Sequence, residues 1–362
     1  MKSLCLPLLF LILVPRLHAE EVFPFHDGDR VVLIGSTLIE REQRYGYWET
    51  AITRCYPDKS IIFRNLGWSG DTVFGDARAG FGSQADGFRH LKEHVLALKP
   101  TVLIIGYGTN ESFEGPQGLS RFVKGLETLL DTFAATKARI VLLSPLKQEK
   151  LGSPLPDPAE NNKNLRRYAK AIGEVAKKRS HRFVDLYDLL GKEKESLTDD
   201  GIQLTPWGYW RSAVVLERAL GLSGADSKEQ SAQVTKDEGN PGLVHVKLNK
   251  LSLPPEPING APPEFTCVDL RMDVHEPSIM SRDPDLVQAE KLRQTIVAKN
   301  RLYFYRWRPE NETYLFGFRK HEQGQNAREI PQFDPLIAEK EKEIAKLRMP
   351  VPHTYELRTE KK

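Results

Sequence analysis

Val31-Val32-Leu33-Ile34-Gly35-Ser36-Thr37-Leu38 is the segment of this chain that is most typical of one class of fold. Its first four residues are aliphatic, which predicts a short strand buried on both faces of a parallel sheet. A glycine and two hydroxyl residues, Ser36 and Thr37, follow at once. Such residues commonly cap the next helix, and the same hydroxyls serve as nucleophiles in enzymes. Both interpretations of this turn are open at the level of sequence.

Strand-like and helix-like segments alternate over the first two hundred residues after the amino terminus. Four more short apolar runs are predicted strands: Ile61–Phe63, Val102–Ile105, Ile140–Leu143 and Phe183–Leu186. The clearest helix begins at Asp157, with Pro158 and Glu160 suited to its first turn. Its apolar face then follows at spacings of three and four residues: Leu165, Tyr168, Ile172 and Val175. Alternation of this kind predicts a flavodoxin-like three-layer α/β sandwich with a five-stranded parallel sheet.

Three polar segments join Gly35–Leu38 as candidates for a functional site. They are Asn65–Thr72, Gly106–Glu111 and Asp200–Tyr209. The carboxyl ends of parallel strands lie at one edge of a sheet, so segments that follow strands come together there. Ester hydrolysis by a hydroxyl needs a base, a group that orients the base, and donors for the developing oxyanion. Hydroxyl, carboxylate, amide and glycine residues in these segments are suited to such roles.

The four segments resemble the sequence blocks of the SGNH (GDSL-like) hydrolases, a family of esterases, lipases and acylhydrolases. The resemblance covers roughly residues 28–222. It implies that Thr37 is the nucleophile, with Ser36 a less suitable substitute. It also implies that Gly70 and Asn110 form the oxyanion hole and that Asp200 is the triad acid. A Gly-x-Thr-Leu nucleophile block and a C-terminal extension further resemble a bacterial subgroup of this family.

The chain departs from the family pattern at the base. Gln203 stands three residues after Asp200, where the family has histidine. An amide cannot accept a proton at neutral pH, so Gln203 is expected to position water or substrate. His321 is the main alternative source of a base, and His275 and His26 are weaker ones. Glu111 in place of the usual aspartate is a milder departure.

The amino terminus and the composition bear on location and partners. Residues 1–19 read as a signal peptide, with a basic start at Lys2 and a short apolar run. Without Lys2 and Arg16 the formal net charge falls from +3 to +1, with 50 basic and 49 acidic residues. We therefore expect a secreted or periplasmic protein without a transmembrane segment after cleavage, and without nucleic-acid partners. Cys55 and Cys267 permit one disulfide, or are two separately buried thiols.

The C-terminal third is predicted to differ from the sandwich. Val244–Leu253 and Phe265–Val274 are expected to form a β-hairpin across a proline-rich turn. A helix is expected from Asp283 and Pro284, with the aromatic run Tyr303–Trp307 after it and packed on the sandwich. The predicted divisions are 1–19 for the signal peptide, 20–222 for the hydrolase-like domain, 223–283 for a linker with a small β insertion, and 284–362 for a helical extension packed on the main domain.

Two functions are compatible with the sequence. The first is an exported hydrolase of ester bonds, acting on an acyl group of a carbohydrate or other small extracellular molecule with an atypical triad. The second is an inactive fold of the same family that binds a saccharide or acts as an interaction module. No metal-ligand spacing and no phosphate-binding glycine motif are recognisable, so we predict no metal and no cofactor. The oligomeric state is open.

Overall fold

The structure of the protein is a computed structural model that describes residues 22–222, 233–236, 243–248, 284–308, 326–351 and 353–358. The predicted signal peptide, Phe265–Val274, Cys267, His275 and His321 lie outside these ranges. Cys55 is buried, and the predicted alternatives for its pairing stay open.

A five-stranded parallel sheet forms the centre of the molecule. Its strands are β1 (Arg30–Gly35), β2 (Ile62–Asn65), β3 (Val102–Gly106), β4 (Arg139–Leu143) and β5 (Arg182–Val184). They lie in the order β2-β1-β3-β4-β5. The predicted fold class is confirmed, and each strand lies within two residues of its predicted position.

Helices cover both faces of this sheet. They are α1 (Thr37–Tyr45), α2 (Tyr47–Cys55), α3 (Gln84–Ala97), α4 (Gly115–Phe133), α5 (Ala159–Lys178), α6 (Leu186–Leu190) and α7 (Pro206–Ala219). Val31 and Leu33 of β1 pack against residues of α2 and α7 on one face. Val32 and Ile34 pack against residues of α3, α4 and α5 on the other. Alternate residues of this strand therefore enter two separate cores, which is why Val31–Ile34 are all aliphatic.

The predicted start of α5 needs a small correction. The helix begins at Ala159 rather than at Asp157. The Asp157 carboxylate accepts a hydrogen bond from the Ala159 amide at 2.9 Å, which closes a turn in front of the helix. The predicted apolar face is confirmed, since Leu165, Tyr168, Ile172 and Val175 are all buried.

Two helices of the C-terminal region pack against each other and contact the sandwich. They are α8 (Pro284–Trp307) and α9 (Phe333–Leu347). The aromatic run Tyr303–Trp307 is predicted to follow this helix. It instead forms the end of the helix, since α8 continues without interruption to Trp307. Two buried ion pairs join α8 to α2: Lys299 with Glu49 at 2.5 Å, and Arg54 with Asp285 at 2.5 Å. None of the helices in the described ranges combines the length and apolarity of a membrane-spanning segment.

A second, antiparallel sheet contains β6 (Gln233–Lys236), β7 (Leu243–Leu248) and β8 (His353–Arg358), in that order. The predicted hairpin of Val244–Leu253 with Phe265–Val274 is therefore wrong. The first of these segments contains most of β7, which pairs with β6 on one side and with β8 on the other. The partner on one side, β6, lies inside the segment interpreted as a linker. The partner on the other side comes from the end of the chain, more than a hundred residues away, so no local turn signal could predict it.

Candidate active site

Backbone hydrogen bonds bring three of the four polar segments to one edge of the parallel sheet. The Ser36 amide donates to the Gly106 carbonyl at 3.2 Å, which joins the turns after β1 and β3. The Trp68 amide donates to the Gly35 carbonyl at 2.9 Å, which joins the turns after β1 and β2. These turns all leave the carboxyl ends of their strands, as the sequence predicts.

The two hydroxyl residues after β1 have different environments. Ser36 is the N-cap of α1 and is buried, with 3% of its surface exposed. Its carbonyl accepts the amides of Ile39 and Glu40, but its hydroxyl makes no capping hydrogen bond. Thr37 is the first residue of α1 and is half-buried. Its hydroxyl has no hydrogen-bond partner among the described residues, and Thr37 is the more exposed residue of the pair.

The loop after β2 presents Gly70 at the surface of the site. Gly70 has φ +80°, and a Cβ at this position would meet no atom within 4 Å. The space over the peptide is therefore open to a substrate. The neighbouring Ser69 amide donates to the Glu40 carboxylate at 2.7 Å. This bond ties the loop to α1, the helix that begins with Thr37.

A buried ion pair supports the same loop from inside. Asp71 and Arg78 are 2.7 Å apart, and neither side chain is exposed. Arg78 also donates to the Leu66 carbonyl at 2.7 Å, and the Tyr107 hydroxyl donates to Asp71 at 3.0 Å. The peptide next to Gly70 is therefore held on both sides. Rigid donors of this kind need no rearrangement when charge develops on a substrate oxygen.

Asn110 and Glu111 connect the turn after β3 to the loop after β2. The Asn110 side-chain amide donates to the Asp71 carbonyl at 2.7 Å, which leaves its second hydrogen for another acceptor. The Glu111 carboxylate accepts the amides of Val73 and Gly108, each at 2.9 Å. Burial raises the pKa of Glu111 to about 7. The Glu111 side chain thus connects the loop after β2 to the turn after β3. The sequence alone does not indicate this role.

Asp200 organises its own loop. Its Oδ1 accepts the amides of Ile202 at 2.9 Å and Gln203 at 2.7 Å. The second carboxylate oxygen has no hydrogen-bond partner among the described residues. A histidine at position 203 would have an oxygen of Asp200 available to orient it, but the chain has no such histidine.

The side chain of Gln203 is engaged with an arginine that sequence analysis missed. Nη1 of Arg41 donates to Oε1 of Gln203. Arg41 lies four residues after Thr37 on α1, so both side chains project from the same face of that helix. The Tyr209 hydroxyl donates to the Leu38 carbonyl at 2.9 Å and also joins this segment to α1. The spacing of four residues on a predicted helix is the signal that could have found Arg41.

A second missed residue comes from the extension. Arg308, which directly follows α8, donates to the Glu40 carboxylate at 2.6 Å. Its guanidinium lies 3.7 Å from the centre of the Trp68 ring. Trp307 packs edge-on against the same ring at 5.7 Å. The C-terminal region therefore contacts the loop that carries Gly70.

The predicted histidines do not supply a base within the described part of the chain. His26 precedes β1, so it lies at the amino end of the sheet, opposite Thr37. The suggestion that His26 acts as the base is therefore wrong. His275 and His321 lie outside the described residues.

A cavity of about 380 Å³ opens at the same edge of the sheet. It is bounded by the segment after β4, the start of α5 and the loop around Leu204, the neighbour of Gln203. Its polar lining includes Lys147, Gln148 and Asn162, and its lining residues do not include Thr37, Gly70, Asn110 or Gln203.

The fold and the four segments at its edge are those of the SGNH class of hydrolases. In agreement, residues 33–211 match the profile of the GDSL-like Lipase/Acylhydrolase family. Residues 33–211 therefore form a hydrolase domain of this family, which acts on ester bonds. A search of curated proteins finds no significant relative.

Solved structures of similar fold include enzymes from several sources. A gut microbial diltiazem-metabolizing enzyme, BT4096, has a TM-score of 0.66 at 15% identity, covering 94% of this chain and 99% of its own. Axe2, an acetylxylan esterase from Geobacillus stearothermophilus, has a TM-score of 0.43 at 18% identity, covering 54% and 95%. LAE5, an alpha/beta hydrolase enzyme from the metagenome of Lake Arreo, has a TM-score of 0.44 at 19% identity, covering 56% and 99%. At 15% identity, the similarity to BT4096 concerns the fold.

Proposed function

We propose that this protein is an exported acylhydrolase that removes an acyl group from a carbohydrate or another small extracellular ester. The observation that carries the proposal is the Asn110–Asp71 hydrogen bond of 2.7 Å. It fixes the Asn110 amide beside the Gly70 peptide, at the sheet edge where Thr37 is half-buried. Thr37 is the nucleophile, and Gly70 and Asn110 are the oxyanion donors. Export follows from the predicted signal peptide.

The triad in this proposal is atypical. Asp200 has one carboxylate oxygen without a hydrogen bond from any residue that the structure describes, but Gln203 cannot accept a proton. Gln203 instead positions water or substrate. Its side-chain oxygen accepts a hydrogen bond from Arg41, and its side-chain NH₂ group has no acceptor among the described residues and can donate to a ligand. His321 is the proposed source of the base. Without any base the oxyanion donors still accelerate the reaction, but loss of a triad member typically costs about 10⁴–10⁶ in rate.

The arrangement around Gln203 also supports the second function, an inactive saccharide-binding module. An amide bonded to arginine is a stable polar pair, and it does not perform base catalysis. Binding and hydrolysis make different predictions for Thr37, because only hydrolysis requires its hydroxyl.

The test is an ester assay on the chain without residues 1–19. Acetylated xylo-oligosaccharides and 4-nitrophenyl acetate are the substrates. Thr37→Ala should lower turnover by about 10³ or more, whereas Thr128→Ala, an exposed threonine on α4, should leave it unchanged. Binding of the oligosaccharide without any release of acetate would support the inactive module instead. Equal turnover by Thr37→Ala and wild type would rule out Thr37 as the nucleophile.

A further inference from the structure

Arg41 is a partly buried cation whose hydrogen-bond partners among the described residues are neutral. Nη1 donates to the Gln203 carbonyl oxygen, and Nη2 lies 3.5 Å from the Tyr45 hydroxyl. Nε is buried and has no hydrogen-bond partner in the described part of the chain. A guanidinium has five N–H donors, so most of its capacity is unused.

Two acids of the site, Glu40 and Asp200, have other partners. Glu40 accepts Arg308 and the Ser69 amide. Asp200 accepts two backbone amides of its own loop. No ion pair joins Arg41 to any carboxylate within the described ranges. Within the described ranges, therefore, no carboxylate neutralises the positive charge at this end of the site.

An uncompensated cation that is partly removed from water is costly unless something pairs with it. A guanidinium matches the planar, two-oxygen geometry of a carboxylate, and it binds sulfate or phosphate oxygens in a similar way. Solvent reaches part of the Arg41 side chain, so a substrate group can reach it too. The helix places this cation one turn from Thr37, about 5–6 Å between Cβ atoms for residues four apart.

We infer that Arg41 determines specificity by binding an anionic group on the ester, so that the substrate class is a negatively charged ester such as an acylated acidic sugar. This inference rests on the proposed function for its substrate, but the anion site itself does not require turnover. In this arrangement the side-chain oxygen of Gln203 orients the Arg41 guanidinium that binds the anion.

The test compares matched neutral and anionic esters. Phenyl acetate is paired with 3-acetoxybenzoate, which places a carboxylate on the alcohol side. 4-Nitrophenyl hexanoate is paired with mono-4-nitrophenyl adipate, which places it on the acyl side. The variants are Arg41→Gln, Arg41→Lys and the control Arg44→Gln, an exposed arginine on the same helix.

The wild type should prefer the anionic member of at least one pair in kcat/KM. Arg41→Gln should lower kcat/KM for that member at least about tenfold more than for its neutral partner, since hydrogen bonds to charged groups are the stronger ones. Arg41→Lys should retain part of the preference, and Arg44→Gln all of it. Equal losses on both members would mean that Arg41 only positions Gln203 or Thr37. Absence of any preference in the wild type would also overturn the inference.

If the wild type hydrolyses none of the four esters, calorimetry with 3-hydroxybenzoate and adipate separates the two proposals. Tighter binding of either anion by the wild type than by Arg41→Gln would support the anion site while the hydrolase proposal fails. Equal or absent binding would reject the anion site as well.

Discussion

Arg308 donates to the carboxylate of Glu40 at 2.6 Å, and this bond joins the C-terminal extension to the edge of the sheet that carries the candidate site. The same carboxylate oxygen accepts the Ser69 amide at 2.7 Å, one residue before Gly70. The Glu40 side chain is largely buried, with 9% exposed. The extension therefore helps to hold the loop that presents the proposed oxyanion donor.

Arg308→Gln should reduce kcat for ester hydrolysis by roughly tenfold while changing the melting temperature little. The reason is that Glu40 would keep the Ser69 amide but lose its charged partner, which leaves the Gly70 loop less rigid. The measurement is kcat and KM on 4-nitrophenyl acetate. The matched control is Arg306→Gln, whose partner Asp334 lies on α9 in an exposed ion pair. A loss of equal size in both variants would show that the effect is general to the extension.

Lys299→Met should destabilise the protein by about 3–5 kcal/mol, because it leaves the buried Glu49 without its cation. Urea unfolding gives the free energy. Replacing both partners, as Lys299→Met with Glu49→Leu, should recover much of the loss. Lys342→Met is the control, since its ion pair with Glu339 is more than 70% exposed and should contribute at most about 1 kcal/mol. A wild-type unfolding curve for Lys299→Met would contradict a stabilising role for this pair.

Gln203→His should raise ester hydrolysis at least about tenfold, because it introduces a base next to the Asp200 oxygen that has no hydrogen-bond partner among the described residues. The nearby Arg41 disfavours a protonated imidazole, which keeps the new histidine in its basic form. Thr37→Ser should be combined with it, since the methyl group of Thr37 hinders attack. Ile202→His, one residue earlier and exposed, is the control. If His321 already acts as the base, His321→Ala abolishes activity in the wild type and Gln203→His adds little.

Glu111 should make folding stability fall as pH rises from about 4.5 towards 7. Burial raises its pKa in the folded protein to about 7, from 4.5 as the ordinary value. The folded state therefore holds a proton that the unfolded state has already released in this range. The associated stability is fully present below pH 4.5 and is lost by about pH 7, at most about 3 kcal/mol.

The measurement for Glu111 is the unfolding free energy across this pH range in wild type and Glu111→Gln. The variant should show a shallower decline, because its side chain does not titrate. Glu114→Gln, at an exposed neighbouring position, should retain the wild-type slope. Parallel curves for wild type and Glu111→Gln would refute the assignment.

The fold and the positions of the four segments were predictable from local sequence. Val31–Ile34, Val102–Ile105 and Ile140–Leu143 are aliphatic because the three central strands are buried on both faces, and that pattern is visible in four residues. Parallel strands place their carboxyl ends at one edge, so Thr37, Gly70 and Asn110 could be assigned to one site before any contact was known. The replacement of the family's histidine by Gln203 is likewise a fact of the sequence.

Only the tertiary structure decided which side chains meet at that edge. Arg41 and Gln203 are 162 residues apart, and Glu40 and Arg308 are 268 apart, so no periodicity or turn signal relates them. The pairing of β7 with β8 is non-local in the same way. Hydrogen bonds and ion pairs depend on the approach of atoms to within about 3 Å, and that approach is set by how helices and loops pack, which one-dimensional patterns do not contain.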